Sequence, residues 1–232
     1  DIEDGATARL GAAMHEALRS APAVSRGDAF PRVWWQHLAA QGMLGVGFDP
    51  DGRETRADWP AVAALADIIA RETAHLGLAL GWLMNEMLGR FVIGPHVGND
   101  GHRALLRMMA RGRKVVALAI SEPQAGAHPK LLRCAARQHD GQWLLEGEKS
   151  FVSNGPAADA FVVLAVTGEH EGRKRFDAFI VGADTPGLDR RPTGREAVLP
   201  PLGHCGLVLD GCLVPETRRL GTEGKAFDLI AK

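Results

Sequence analysis

Two segments of the sequence place small hydroxyl side chains at the ends of apolar, β-prone runs. The first run begins at Val115 and ends with Ser121, just before a Glu-Pro pair, where proline stops strand pairing because it has no amide hydrogen. The second ends with Ser153, and Phe151 shares its face because side chains alternate along a strand. Two hydroxyls and an aromatic ring could hydrogen-bond and pack against a bound molecule. An ordinary antiparallel sheet with serines at its strand ends also fits these residues.

The chain between the two serines has the pattern of a loop followed by a hairpin. Residues 124–127 are mostly small, so that the backbone there can approach a neighbour closely. Residues 131–138 resume as extended chain, and Asp140-Gly141 is a hairpin turn signal. The return strand, 143–147, then leads towards Ser153.

The composition indicates a globular protein with no large charged surface. Hydrophobic residues make up 46% of the 232 positions and charged residues 24%. The formal net charge of -1 provides no excess positive charge for binding nucleic acid or an anionic membrane. We find no secretory signal pattern and no apolar run near membrane-spanning length, so the expected location is the cytoplasm. Three unpaired cysteines and nine scattered histidines predict reduced, buried thiols and no metal site.

Hydrophobic periodicity predicts a run of helices followed by a run of strands. Helical spacing appears from Leu10, and the following four helices are expected to start near Pro31, Asp58, Thr73 and Asp100, with Asp58 and Asp100 as N-caps. Beyond the second serine the predicted strands are 160–166, 175–181, 188–192 and 206–214. This order predicts an α+β fold. An all-α N-terminal domain would cover residues 1–113, and an antiparallel β-barrel or sandwich-like middle domain residues 114–222.

These segments resemble the acyl-CoA dehydrogenase family. LAISEP, the small-residue loop, the hairpin and GEKSFVSNG are similar to its pattern of an apolar strand into Thr/Ser-Glu-Pro, then Ala-Gly-Ser-Asp, then Gly-x-Lys-x-Trp/Phe-Ile-Thr/Ser-Asn. GNDGHRALLRMMARG resembles the family's connecting helix, and FIVGADTPGL and LDGCLVPE resemble its later strands. The resemblance covers most of the chain and implies the same order, a helical domain followed by a flavin-binding β domain.

The resemblance implies an FAD site in the middle domain. A flavin ring needs hydrogen-bond donors at N1, N5 and its carbonyl edge, and an aromatic group against its face. Ser121 and the amides beside it would meet the pyrimidine edge, Phe151 would pack on the ring, and the Ser153 hydroxyl would approach N5. The cofactor-binding residues implied in this way are Leu118, Ile120, Ser121, Phe151, Val152 and Ser153.

The resemblance also implies an acyl thioester ligand. Gly126 and Ala127 occupy the loop where the family commonly has Gly-Ser and holds cofactor and ligand. Glu86 is the only acidic side chain of the apolar stretch 76–91, and the corresponding helix of the family lines the acyl channel. Glu86 is therefore a candidate for contact with a polar acyl group or for a displaced catalytic base, with a pKa raised by burial. The alternative is an ordinary surface pair with Arg90, four residues later.

The implied reaction is α,β-dehydrogenation of an acyl-CoA, in which a carboxylate takes the α proton and FAD accepts a hydride from the β carbon. The implied partners are an electron-transfer flavoprotein as electron acceptor and further subunits of a homo- or hetero-oligomer. Two alternatives stay open, a flavin-dependent monooxygenase of the same fold and a non-catalytic subunit that needs a partner chain.

In the family the catalytic base is a glutamate of a third, helical domain. GTEGKAFDLIAK resembles only the opening of that domain's first helix, so residues 223–232 are expected to begin it. No residue of this sequence inherits the role of the base by motif. We expect the rest of that domain to come from a longer protein, in preference to a second polypeptide.

Overall fold

The computed structural model describes residues 2–25, 30–49, 51, 55–192 and 199–226. A helical region comes first, as predicted. Its α-helices are α1 (Ile2–Arg19), α2 (Arg32–Ala40), α3 (Trp59–Thr73), α4 (Leu76–Met87) and α5 (Asp100–Ala110). Helix α4 continues into a π-helical turn (Leu88–Ile93) and a short 3-10 turn (Gly94–His96).

Strands follow the helices, so the α+β order is confirmed. They are β1 (Val116–Ala119), β2 (Ala135–His139), β3 (Gln142–Ser153), β4 (Ala160–His170), β5 (Arg173–Gly182), β6 (Leu188–Pro192), β7 (His204–Pro215) and β8 (Arg219–Leu220). The helix expected after residue 223 lies largely outside the described residues.

These strands form one open, mixed sheet. Its order is β6-β7-β3-β2-β4-β5-β8, with β1 paired to β4. The two end strands of this order are not paired with each other in the described part of the chain, and β4 runs parallel to both β1 and β2. Of the predicted barrel or sandwich-like forms, a closed barrel is not observed, and these two pairings are parallel where antiparallel pairing was expected. Long connections separate β1 and β2 from β4, and such connections permit parallel pairing where a tight turn would not.

Strand β4 is buried on both faces, which explains its continuous apolar run. Phe161 and Val163 lie in a core that also contains residues of β3 and β7. Val162 and Leu164 lie in a second core, shared with α5 and the π-helical turn. The helical layer thus covers one face of β4, and residues of β3 and β7 cover the other.

One predicted helix cap and one predicted helix start need correction. Asp58 caps α3 as expected, through its side-chain oxygen. Helix α5, however, is capped by Asn99 and not by Asp100, because the cap is the residue that still has an extended backbone. Helix α4 begins at Leu76, later than the expected start near Thr73.

The helical segment Leu76–His96 corrects the expectation that no apolar run approaches membrane-spanning length. It is 21 residues long and passes the test of length and composition, but 61% of its apolar window is buried inside the protein. Trp82 and Leu88, for example, are almost completely buried. A core helix has the same composition, and the packing observed here is that of a core helix.

Helix α4 lies against the middle sheet at two residues that have no side chain. A Cβ atom on Gly77 would lie 2.4 Å from the carbonyl oxygen of Leu199, and one on Gly81 would lie 3.0 Å from Oδ1 of Asn154. Asn154, which directly follows β3, donates from Nδ2 to the Gly81 carbonyl at 3.1 Å. These contacts fix the distance between α4 and the end of β3.

Gly77→Ala should destabilise the protein by about 1–3 kcal/mol, because the added methyl group would meet backbone atoms that cannot rotate away. Gly5→Ala in α1 is the matched control, since its nearest neighbour is the flexible end of Arg9 at 3.5 Å. The control should leave stability unchanged or raise it by about 0.5–1 kcal/mol. Urea unfolding measures both, and equal effects of the two substitutions would contradict the close approach.

Candidate functional site

A cleft opens between α4 and the ends of β1 and β3. It encloses about 470 Å³, including the part that is open to solvent. The helical side contributes Met84 and Leu88, and the sheet side contributes Leu118, Ile120, Ser121, Ser150, Phe151 and Ser153. Five of the six residues implied as cofactor-binding therefore line one cleft.

A β-bulge in β3 turns Phe151 outwards. Lys149 pairs with Leu207 and Val152 pairs with Cys205, so β3 has one more residue than β7 across this step. Phe151 has a φ of 54° and its exposed fraction is 59%. An aromatic residue rarely adopts a positive φ, and bulges commonly re-aim a side chain. The bulge thus presents an aromatic ring at the cleft.

Three other residues from the sequence analysis lie outside the cleft walls. Val152 is fully buried in the core beneath β3 and β7, so its backbone is the only part that could face a ligand. Gly126 and Ala127 are exposed. The amides of Glu122 and Gly126 each donate to the other's carbonyl, at 2.8 and 2.9 Å. The ligand contacts implied for Gly126 and Ala127 stay predictions.

Glu86 lies inside the helical region and not on the wall of the cleft. Its carboxylate is fully buried and accepts hydrogen bonds from the amides of Gly45 and Gly47 at 2.8 and 2.9 Å. Burial raises its pKa to about 7, although these amide bonds favour the charged form. Arg90 donates instead to the carbonyl oxygen of Gly47 at 2.9 Å. The surface-pair interpretation is therefore wrong, and the observed contacts of Glu86 hold the loop after α2 against α4.

A buried ion pair links the segment after β1 to the last part of β3. The Lys149 and Glu122 side chains are 0% and 1% exposed, and Nζ lies 3.0 Å from Oε1. Nζ also donates to the Ile120 carbonyl oxygen at 3.1 Å. The carboxylate accepts further bonds from the amides of Arg133 and Cys134, at 2.7 and 2.9 Å. Sequence reasoning assigned no role to this pair, although a lysine inside an apolar strand pattern was the available signal.

Three cleft residues were missed by the sequence analysis. Ser150 follows the buried lysine, and its amide donates to the Ser121 carbonyl at 2.8 Å. Its hydroxyl is buried without a partner in the described part of the chain. Met84 of α4 and Leu88 of the π-helical turn were missed because this helical stretch is apolar on much of its circumference, so periodicity does not identify the face that borders a cleft.

The cysteines are free and buried, as predicted. Burial raises the pKa of Cys134 and of Cys205 to about 11, so both thiols stay protonated and unreactive at neutral pH. Within the described residues, no group of three or more His, Cys, Asp or Glu could hold a metal ion.

Comparisons with known proteins place this arrangement in a family. The profile described as "Acyl-CoA dehydrogenase, middle domain" matches residues 117–212. The acyl-CoA dehydrogenase of Bacillus subtilis is 29% identical over 218 residues, covering 94% of this chain and 57% of that protein. The mitochondrial isovaleryl-CoA dehydrogenase of Arabidopsis thaliana is 36% identical over 162 residues, covering 70% of this chain and 39% of that protein.

Solved structures share the fold. The butyryl-CoA dehydrogenase of Megasphaera elsdenii matches with a TM-score of 0.81 at 24% identity, over 97% of this chain and 60% of that chain. A glutaryl-CoA dehydrogenase of Mycobacterium smegmatis in complex with FADH2 matches with a TM-score of 0.80 at 20% identity, over 95% and 56%. The chain belongs to the acyl-CoA dehydrogenase family. It spans 39–60% of the length of these four relatives.

Replacing Glu86 with Gln should change how stability depends on pH. The pKa of Glu86 in the folded protein, about 7, lies above its ordinary value of 4.5. The folded state therefore binds the proton more tightly, and this contribution to stability is complete below pH 4.5 and is lost as the pH rises through 7. From pH 4.5 to pH 8 the stability of Glu86→Gln relative to wild type should improve by about 3 kcal/mol.

Denaturant unfolding across this pH range measures the difference. Glu16→Gln, on the exposed surface of α1, is the control for changes at a surface carboxylate. A difference between Glu86→Gln and wild type that stays constant with pH would contradict the raised pKa.

Proposed function

We propose that this chain forms the flavin-facing part of an FAD-dependent acyl-CoA dehydrogenase, an oxidoreductase that acts on the α and β carbons of an acyl-CoA thioester. The observation that carries the proposal is the convergence of Ser121, Phe151 and Ser153 on one cleft beside α4. The relatives support it, since their names specify acyl-CoA substrates and one solved relative is described with FADH2.

The residues of the cleft fit a flavin ring. The ring is planar and largely apolar and has hydrogen-bonding atoms along its edges. The cleft offers the exposed ring of Phe151, hydroxyl groups from three serines, and apolar side chains from α4 and the π-helical turn that follows it. Its described lining residues include no charged side chain. The buried Ser150 hydroxyl, which has no partner in the described protein, is a further group that a ligand could satisfy.

We assign contacts with the flavin to the sheet side of the cleft and contacts with the acyl chain to the helical side. When bound, FAD supplies the hydride acceptor. Ser121 would hold the pyrimidine edge of the ring, Ser153 would donate towards N5, and Phe151 would pack on the face of the ring. Met84 and Leu88 give the acyl chain an apolar surface and exclude water from it.

We assign removal of the α proton to a carboxylate from outside the cleft residues of this chain. None of the described lining residues is acidic, and the Glu86 carboxylate already accepts two amide bonds in the interior. The proposed electron acceptor is an electron-transfer flavoprotein. We propose that the protein works as an oligomer in the cytoplasm.

Ser121→Ala and Ser153→Ala should each weaken FAD binding. Loss of one hydrogen bond costs about 0.5–1.5 kcal/mol, which corresponds to a roughly 2- to 10-fold higher Kd. Ser20→Ala, at the end of α1 and distant in sequence from the cleft segments, is the control and should bind FAD as wild type does. Titration of the apoprotein with FAD, followed by flavin fluorescence, measures the Kd. Unchanged affinity and flavin potential in both cleft variants would rule out this binding mode.

FAD bound to these 232 residues should not be reduced anaerobically by acyl-CoA thioesters at an enzyme's rate, because the described lining of the cleft contains no carboxylate. Stopped-flow absorbance with a panel of thioesters provides the measurement. Flavin bleaching at about 1 per second or faster would show that a base lies within this chain. With a carboxylate supplied to the cleft, we expect thioesters to bleach the flavin, whereas a monooxygenase would need an added reductant.

A further inference from the structure

The ion pair behind the cleft is a costly arrangement for an apolar sheet. Lys149 and Glu122 are both almost completely buried, and taking two charges out of water offsets most of what their attraction contributes. Well-packed apolar side chains often stabilise such a position equally well. Stability alone therefore does not account for this ion pair.

The ammonium group of Lys149 contacts a peptide unit that reaches the cleft. Nζ donates to the carbonyl oxygen of Ile120 at 3.1 Å, and the same peptide unit carries the amide hydrogen of Ser121. That amide has no acceptor within the described residues. A cation on a carbonyl oxygen draws electron density through the peptide, so the N–H at its other end becomes a stronger donor.

Other contacts keep this peptide unit in one orientation. Glu122 holds the ammonium at 3.0 Å and is itself held by the amides of Arg133 and Cys134. In the next peptide unit, the Ser121 carbonyl accepts a hydrogen bond from the Ser150 amide at 2.8 Å. The peptide is thus fixed from the β2 side by the ion pair and from the β3 side by the bulge.

We propose that Lys149 is a positioning residue that, held by Glu122, polarises the Ile120–Ser121 peptide and so strengthens the cleft's hydrogen bond to FAD. This inference rests on the proposed function. A stronger donor at the electron-accepting edge of the ring favours the reduced, electron-rich form over the oxidised form. Lys149 therefore raises both the affinity for FAD and the reduction potential of the bound flavin.

The test compares wild type, Lys149→Met and the neutral double variant Lys149→Met/Glu122→Gln, whose amide oxygen can still accept from the amides of Arg133 and Cys134. Lys149→Met should lose thermal stability, because it leaves Glu122 buried and unpaired, and should bind FAD at least 10-fold more weakly. The double variant should regain thermal stability, because it has no buried charge in this position. Its FAD affinity should remain at least 10-fold weaker than that of wild type, and its flavin potential should remain more negative.

Asp177→Asn is the matched control. Asp177 is fully buried on β5 and pairs with Arg219 at 3.5 Å, so the substitution also disturbs a buried charge. It should lower thermal stability and leave FAD affinity and flavin potential unchanged. Hydrogen exchange of the Ser121 amide in the apoprotein gives a further readout, and Lys149→Met should change it while Asp177→Asn does not.

The outcomes separate the two proposals. Wild-type protein that binds no FAD would contradict the proposed function, and amide exchange at Ser121 would then still test the contact with Lys149. FAD affinity and potential that recover together with stability in the double variant would overturn the inference, because Lys149 would then be needed only for folding. Variants that lose stability but keep wild-type affinity and potential would overturn it as well.

Discussion

The cleft depends on the ion pair between Lys149 and Glu122. Two charges removed from water are stable only when each finds its partner and further hydrogen bonds, and that requirement fixes three pieces of chain. The ammonium holds the Ile120 carbonyl after β1, the carboxylate holds the amides that lead into β2, and the lysine belongs to the bulge of β3. The strand ends that face the cleft therefore have one relative arrangement.

The helical side of the cleft depends on a second constraint, the absence of side chains on α4. Gly77 and Gly81 let α4 approach the chain around Leu199 and Asn154 so closely that a methyl group would collide or be tightly packed. One turn further along, the same helix presents Met84 to the cleft. One helix thus forms both the close contact with residues around Leu199 and Asn154 and one wall of the cleft. A substitution at this contact should therefore also change the width of the cleft.

Much of the architecture could be predicted from the sequence, because periodicity and turn residues report local structure directly. The predicted strand 188–192 coincides with β6, and Asp140 and Gly141 both have the positive φ expected of the hairpin turn. The parallel pairing of β4 with β1 and β2 could not be predicted, since it depends on long-range register. The convergence of Ser121 and Ser153 followed only from the family resemblance. The contacts of Lys149 and Glu86 could not be predicted from the sequence, because their partners lie far away along the chain.

The central claim is that the cleft between α4 and the ends of β1 and β3 is a flavin site. A crystal structure of the protein with FAD tests it most directly. We expect the flavin ring to lie against Phe151, with Ser121 and Ser153 within hydrogen-bond distance of its edges. Flavin bound elsewhere on the chain, or a cleft that stays without flavin at saturating FAD, would contradict the claim.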